Sequence, residues 1–304
     1  MKHTSLLLLL LLLIATGCEK PFFENAKTAS VENANLRLTV GGFNVVPFDV
    51  TRTSADIAAY CSRLNFVLYK DGKKVKAVNQ QSADDNFGNA ALTVEPGSYQ
   101  VLVLAHSANG NPVLSDPTKI QFSNDNGYTD TFFWYGDVTV GEATEEKQVV
   151  LDRCTAMFRF ITTDNVPFDV ARMRFYYTGG SGALDATTGF GCVNSKQVTF
   201  FNVDDEMVGH TLRLEIYTIP KASSSALKIL VQAFDAADNL LYESELDAVP
   251  IEMNKITEYT GQFFVDNPDE GTDKGETDNN DDDHLPAFSI RLNTEWAGTI
   301  LGTF

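Results

Sequence analysis

Apolar and polar side chains alternate with a period of two along most of this chain. Leu36, Leu38 and Val40, for example, alternate with Arg37 and Thr39. Successive side chains of a β-strand point to opposite faces, so this period predicts half-buried strands. The same pattern recurs in many short stretches, which turn sequences separate at a spacing of roughly 8–12 residues. The chain is therefore predicted to be all-β and to form β-sandwiches.

A short internal repeat suggests two sandwiches in tandem. The sequence VPFDV at 46–50 recurs at 166–170, and strand patterns flank each copy. We predict an N-terminal sandwich over 36–148 and a C-terminal one over 149–265, which arose by duplication. Chance similarity between strands is the alternative. Within the first unit, an acidic hairpin tip is predicted at 141–147.

The last 39 residues comprise an acidic segment followed by a final strand. Residues 266–284 are rich in Asp and Glu and cannot form a core, so they are predicted to be a linker. Within residues 285–304, Phe288, Ile290, Leu292 and Trp296 lie on one parity, and the polar residues Ser289, Arg291, Asn293 and Glu295 lie on the other. A lone strand is unstable in water, so it must join a sheet edge, in its own chain or in a neighbour's. Both possibilities stay open, and these four residues are the candidate strand donors.

The N-terminus resembles a bacterial lipoprotein signal. A basic start precedes the apolar run Leu6–Ile14, which is too short to span a bilayer, and Ala15-Thr16-Gly17-Cys18 follows. We interpret 1–17 as a signal peptide and 18–35 as a spacer. The resemblance implies that Cys18 becomes the first mature residue and carries the lipid anchor. An ordinary secreted protein with a structural cysteine is the alternative.

The net charge limits the classes of partner that are expected, and the cysteine content limits the number of disulfides. The 304-residue chain has a formal net charge of −18, so it repels phosphate backbones, and nucleic-acid binding is not expected. Beyond Cys18 there are three cysteines, enough for one disulfide at most. Cys154 and Cys192, both in the second unit, are the candidate pair. Inert buried thiols are the alternative.

Motifs for catalysis are missing from the sequence. His106 and His210 lie at predicted strand ends, and Asp281–His284 lacks the ligand spacing of a calcium loop. The sequence has no GxSxG nucleophile elbow and no phosphate-binding GK[ST] loop. We therefore expect a protein that is not an enzyme and has neither a cofactor nor a metal.

Several segments, taken in order, resemble the fimbrillin and fimbrial-anchor lipoproteins of type V pili. After the Cys18 signal they are PGSYQVLVLA at 96–105, VVLDRCTAMFRF at 149–160, VPIEMNKITEYTGQFF at 249–264 and FSIRLNTEWAGT at 288–299. The resemblance implies two transthyretin-like β-sandwich domains in a surface-exposed outer-membrane lipoprotein. It also implies that subunits assemble into a fimbria by β-strand complementation and support adhesion to a host or bacterial surface.

The position of the subunit in a fimbria stays open among anchor, stalk and tip. In stalk subunits of that family a trypsin-like protease cuts after an arginine and removes the first strand. Arg37 is the candidate site, although it lies inside a strand pattern, and Arg52 follows. The alternative function is glycan binding in a polysaccharide-uptake system. The run 132–135, Phe-Phe-Trp-Tyr, would then form the sugar platform.

Overall fold

The structure, a computed structural model, describes residues 33–44, 57–222, 226–265 and 289–291. These residues form an all-β protein, as predicted, with one 3₁₀ turn at Ile57–Ala59. The strands are β1 (Leu36–Asn44), β2 (Arg63–Lys70), β3 (Lys73–Gln81), β4 (Asn89–Leu92), β5 (Gly97–His106), β6 (Ile120–Gln121), β7 (Phe132–Val140), β8 (Glu145–Arg153), β9 (Ala156–Thr162), β10 (Arg172–Thr178), β11 (Ala183–Asp185), β12 (Phe190–Gly191), β13 (Gln197–Asn202), β14 (Arg213–Thr218), β15 (Ala226–Phe234), β16 (Leu240–Pro250), β17 (Ile256–Gly261) and β18 (Ser289–Arg291).

Strands β1–β5, β7 and β8 form the first sandwich. One layer has the order β3-β2-β5-β7 and the other β8-β1-β4. Among the described residues, the strands of one layer are paired with those of the other where β7 meets β8, at Phe132–Arg153 and Phe133–Asp152. The alternating residues of β1 bury Leu36, Leu38 and Val40 in the core between the layers.

The second sandwich has the order β13-β10-β15-β16 in one layer and β14-β9-β17-β18 in the other. Its core contains aromatic side chains from several strands, and the Phe160 ring packs edge-on against those of Phe175 and Phe263.

The strand order of the first sandwich recurs in the second. In each unit the first strand lies between an antiparallel and a parallel partner: β1 between β4 and β8, and β9 between β14 and β17. The other layers correspond as β3-β2-β5-β7 and β13-β10-β15-β16. The second VPFDV copy forms the turn between β9 and β10, and the first lies outside the described residues.

The two sandwiches are joined by a small sheet and a shared apolar cluster. Strand β6, from the first half of the chain, pairs with β11 from the second. Buried side chains on both sides of this joint form one cluster, to which the outer face of β2 and β5 contributes. Arg153 binds Asp130 at 2.9 Å and donates to Asn254 Oδ1 at 2.8 Å, which adds a polar contact across the joint.

Several predicted boundaries differ from the structure. Strand β8 continues to Arg153, so the first sandwich extends past the division predicted at 148/149. The predicted hairpin at 141–147 is not a hairpin, because β7 and β8 enter different layers and pair only at their far ends. Ala34 and Asn35, assigned to the spacer, already attach to the first sandwich. The signal peptide 1–17 and the linker 266–284 lie outside the described residues.

Candidate strand-exchange site

The last described strand, β18, lies at the edge of the second sandwich. It runs antiparallel to β17, whose other edge pairs in parallel with β9. The register pairs three residues from each strand: Ser289 with Thr260, Ile290 with Tyr259 and Arg291 with Glu258. The three described residues of β18 therefore face three of the six residues of β17.

Tyr259 connects this edge to the core of the sandwich. Its side chain is buried, and its ring centroid lies 5.4 Å from that of Phe158. The register places Ile290 opposite this core residue. The other candidate donors, Phe288, Leu292 and Trp296, lie outside the described residues.

The connection between β17 and β18 is much longer than the geometry needs. Residues 262–288 join two strands that are neighbours in the same sheet. An antiparallel pair is usually joined by about 2–5 residues. A chain extends by about 3.3 Å per residue, so this connection reaches several tens of ångströms when extended.

A buried ion cluster fixes the outward face of β17 to its neighbours. Arg159 of β9 is 4% exposed, and it contacts Glu215 of β14 at 2.8 Å and Glu258 of β17 at 3.2 Å. Water is largely excluded from Arg159, and Glu258 depends on it for its pairing, whereas Glu215 also pairs with Arg213. The sequence gives no signal for this cluster. Arg159 occupies the polar parity between two core phenylalanines, but its partners come from distant strands.

The first strand is enclosed on both sides. Arg37 of β1 lies opposite Ala91 of β4 and opposite Glu146 of β8. A protease needs an accessible extended segment, so a cut after Arg37 requires β1 to leave its sheet first. Such a cut would leave Leu38–Asn44 in place. Arg52 and Cys18 lie outside the described residues.

The predicted disulfide between Cys154 and Cys192 is not formed in the structure. Cys61 and Cys154 are buried free thiols, and Cys192 is an exposed one. The Cys154 thiol donates to the Thr131 carbonyl at 3.4 Å, at the joint between the sandwiches. Burial raises the pKa of both buried thiols, that of Cys61 to about 12, which keeps them protonated and unreactive.

The aromatic run 132–135 does not form an exposed platform. Phe132 is fully buried in the first core, and Trp134 is half-buried against the same core. Phe133 and Tyr135 pack on the cluster at the joint. These four side chains therefore stabilise the fold rather than present a flat surface for a sugar.

The histidines have separate surroundings. His106 is buried. Its Nε2 atom lies 3.1 Å from Asn65 Oδ1, and its ring packs edge-on against that of Phe122. Burial and the nearby Arg63 lower the pKa of His106 to about 4. His210 is exposed, and His284 lies outside the described part of the chain. Within that part, no three His, Cys, Asp or Glu side chains are grouped to hold a metal ion.

None of the described segments forms an apolar helix long enough to cross a bilayer.

Comparisons with known proteins place the chain in a family. A family model described as "Family of unknown function (DUF6562)" matches residues 27–295. No curated protein matches the chain.

Similar solved structures come from related bacteria. A candidate adhesin from Bacteroides ovatus has 13% identity and a TM-score of 0.48, with 88% of this chain and 96% of that chain covered. A candidate polysaccharide-binding protein from Bacteroides thetaiotaomicron has 10% identity and a TM-score of 0.46, with 88% and 98% covered. The fimbrial anchor protein Mfa2 from Porphyromonas gingivalis has 10% identity and a TM-score of 0.43, with 87% and 99% covered.

Proposed function

The chain belongs to DUF6562, a family of unknown function, and we propose that it is a non-enzymatic structural subunit of a fimbria. Subunits join by β-strand complementation, in which residues 285–304 of one copy complete a sheet of another. The connection between β17 and β18 carries this proposal, because residues 262–288 join strands that lie side by side. This length is superfluous for a hairpin and gives the last strand the reach to leave its own sandwich.

Pairing of this segment with a sheet edge, in its own chain or in another copy, is energetically favourable. Each backbone hydrogen bond of an added strand contributes a net of about 0.5–1.5 kcal/mol. Each buried apolar side chain adds about 1.5–3 kcal/mol, so the four candidate donors contribute roughly 6–12 kcal/mol before ordering costs. The acidic residues keep the connection solvated and extended.

The proposal also includes an outer-membrane location. Lipid on Cys18 tethers the chain, which faces outward and supports cell adhesion. Intact mass spectrometry of the protein from membranes reports lipidation and trimming together. A lipidated chain that starts at Cys18 identifies an anchor, and an unlipidated chain trimmed after Arg37 or Arg52 identifies a polymerising subunit.

Assembly itself is tested on unboiled gels of membrane fractions. We expect a ladder of multimers from the full chain and its loss when residues 285–304 are deleted. The boiled samples control for the amount of protein. An unchanged ladder from the deletion variant would contradict strand complementation through this segment.

A further inference from the structure

The outward face of β13, β10, β15 and β16 differs from the other sheet faces of the protein. The core-facing residues of these strands include Met173, Phe175 and Val231, so their sequence neighbours point outward. We call this outward surface the Arg174 face. It includes Arg172, Arg174, Tyr176, Val198, Phe200, Leu230, Gln232, Phe234 and, from β16, Glu243 and Glu245.

The first sandwich, which has the same strand order, provides a comparison for this face. In the first sandwich the corresponding face, on β2 and β5, is buried under the apolar cluster at the joint. In the second sandwich, by contrast, Phe200 is 52% exposed, and Arg174 and Tyr176 beside it are half-buried. The face is a four-stranded surface with an accessible aromatic ring.

The cations on this sheet differ in their pairing. Arg172 lies between the rings of Phe200 and Phe234, at 4.9 and 5.4 Å, and it binds Asp238 at 2.9 Å. Lys228 is paired with Glu245 and Asp247.

Arg174 is the unpaired cation of the set. Its guanidinium lies 5.7 Å from the centre of the Tyr176 ring and has no ion pair or hydrogen bond to any described residue. Its Nε is buried without a partner, as is the Oε1 atom of the adjacent Gln232. A half-buried cation without a counter-ion is costly, so this site favours an anionic group from a ligand.

We propose that the Arg174 face binds an anionic, carboxylate-bearing polysaccharide. Aromatic rings exposed on a sheet face match the apolar faces of sugar rings, and Arg174 supplies a charge-assisted contact to a carboxylate. A strand from another subunit would use a sheet edge instead of this face. This binding is independent of fimbrial assembly.

Isothermal titration of the full chain with oligogalacturonate tests this proposal. We expect binding that weakens about tenfold or more in Arg174→Gln and severalfold in Phe200→Ala. Arg174→Lys should restore only part of the affinity, because it keeps the charge but loses the planar guanidinium. Lys228→Gln is the matched control, since it removes a paired cation from the same sheet, and its affinity should equal that of the unmodified chain.

Unfolding midpoints of all variants show whether the sheet is intact. Binding by the unmodified chain that Arg174→Gln leaves unchanged would overturn the proposal, as would an absence of binding at millimolar oligogalacturonate. Equal affinity for neutral dextran oligomers would also overturn it, because the unpaired cation would then have no role. Preference for an aspartate-rich peptide over the saccharide would identify a protein partner instead and reject the polysaccharide.

Discussion

Ser289 lies directly opposite Thr260 in adjacent antiparallel strands, although the long acidic connection separates them in the chain. The contacts that β18 makes with β17 are therefore the same whether both strands belong to one copy or to two. The choice between them depends on effective concentration within the chain and on the density of neighbouring subunits. A long connection lowers the effective concentration of β18 near its own β17 and therefore favours exchange with another copy.

Shortening this connection should trap the closed form. Deletion of residues 267–286 leaves enough chain for a hairpin, and it should abolish the multimer ladder. The unfolding free energy of the monomer should rise by about 1 kcal/mol, because loop closure costs less entropy. Denaturant unfolding and unboiled gels measure the two effects.

A variant with residues 267–286 scrambled is the matched control, since it keeps length and charge. It should assemble like the unmodified chain. A ladder that survives the deletion would show that the connection has no part in assembly.

The ion cluster should contribute strongly to the stability of the second sandwich. Arg159→Met leaves Glu258 buried without its cation, and the unfolding free energy should fall by about 3–5 kcal/mol. Arg213→Met is the control, because Arg213 is largely exposed where it pairs with Glu215, and it should cost less than about 1 kcal/mol. Similar losses in the two variants would refute the dependence on burial.

His106 should make the fold sensitive to acid. Its pKa is about 4 in the folded protein and about 6.5 when unfolded, so the unfolded state takes up the proton first as the pH falls. The stability contributed by the neutral form is present above pH 6.5 and is lost between pH 6.5 and 4. We expect a loss of about 2 kcal/mol between pH 7 and 5 from this group.

Denaturant unfolding of His106→Gln at the same two pH values isolates this effect. The variant should lose about 2 kcal/mol less than the unmodified chain over this interval. Identical pH dependence in the two proteins would exclude His106 as the source.

The three described cysteines should differ in reactivity. Maleimide under native, non-reducing conditions should label Cys192 and leave Cys61 and Cys154 unmodified, because only Cys192 is exposed. Peptide mass spectrometry locates the adducts. Failure to label Cys192 until a reductant is added would indicate that it is in a disulfide after all.

Much of the fold of this protein can be predicted from the period of two in its sequence. Leu36, Leu38 and Val40 alternate in the chain and are buried together in the first core, because burial of one sheet face is a local property of each strand. The prediction of an acidic hairpin tip at 141–147 is wrong, because a period of two does not reveal in which layer the next strand lies. Neighbouring β7 and β8 enter opposite layers.

The site residues were harder to predict because they depend on tertiary pairing. Arg159 meets Glu215 and Glu258 only after three strands with distant sequence positions align. Likewise, aromatic residues such as Phe132 and Trp134 are typical of a sugar-binding platform. They pack in or against the core instead, because β7 belongs to the first sandwich. The exposed Phe200 and the unpaired Arg174 become neighbours through the register of β10 and β13.

The most direct test of strand complementation is a disulfide placed across the pair Thr260–Ser289. Opposed residues of antiparallel strands have Cα atoms about 4.5–5.5 Å apart, a distance that a disulfide spans. Thr260→Cys and Ser289→Cys are combined with Cys192→Ser, and oxidised membrane fractions are boiled and run without reductant. The single-cysteine variants are the controls. The account predicts a covalent ladder of multimers from the double-cysteine chain only, and an internally crosslinked monomer alone would contradict it.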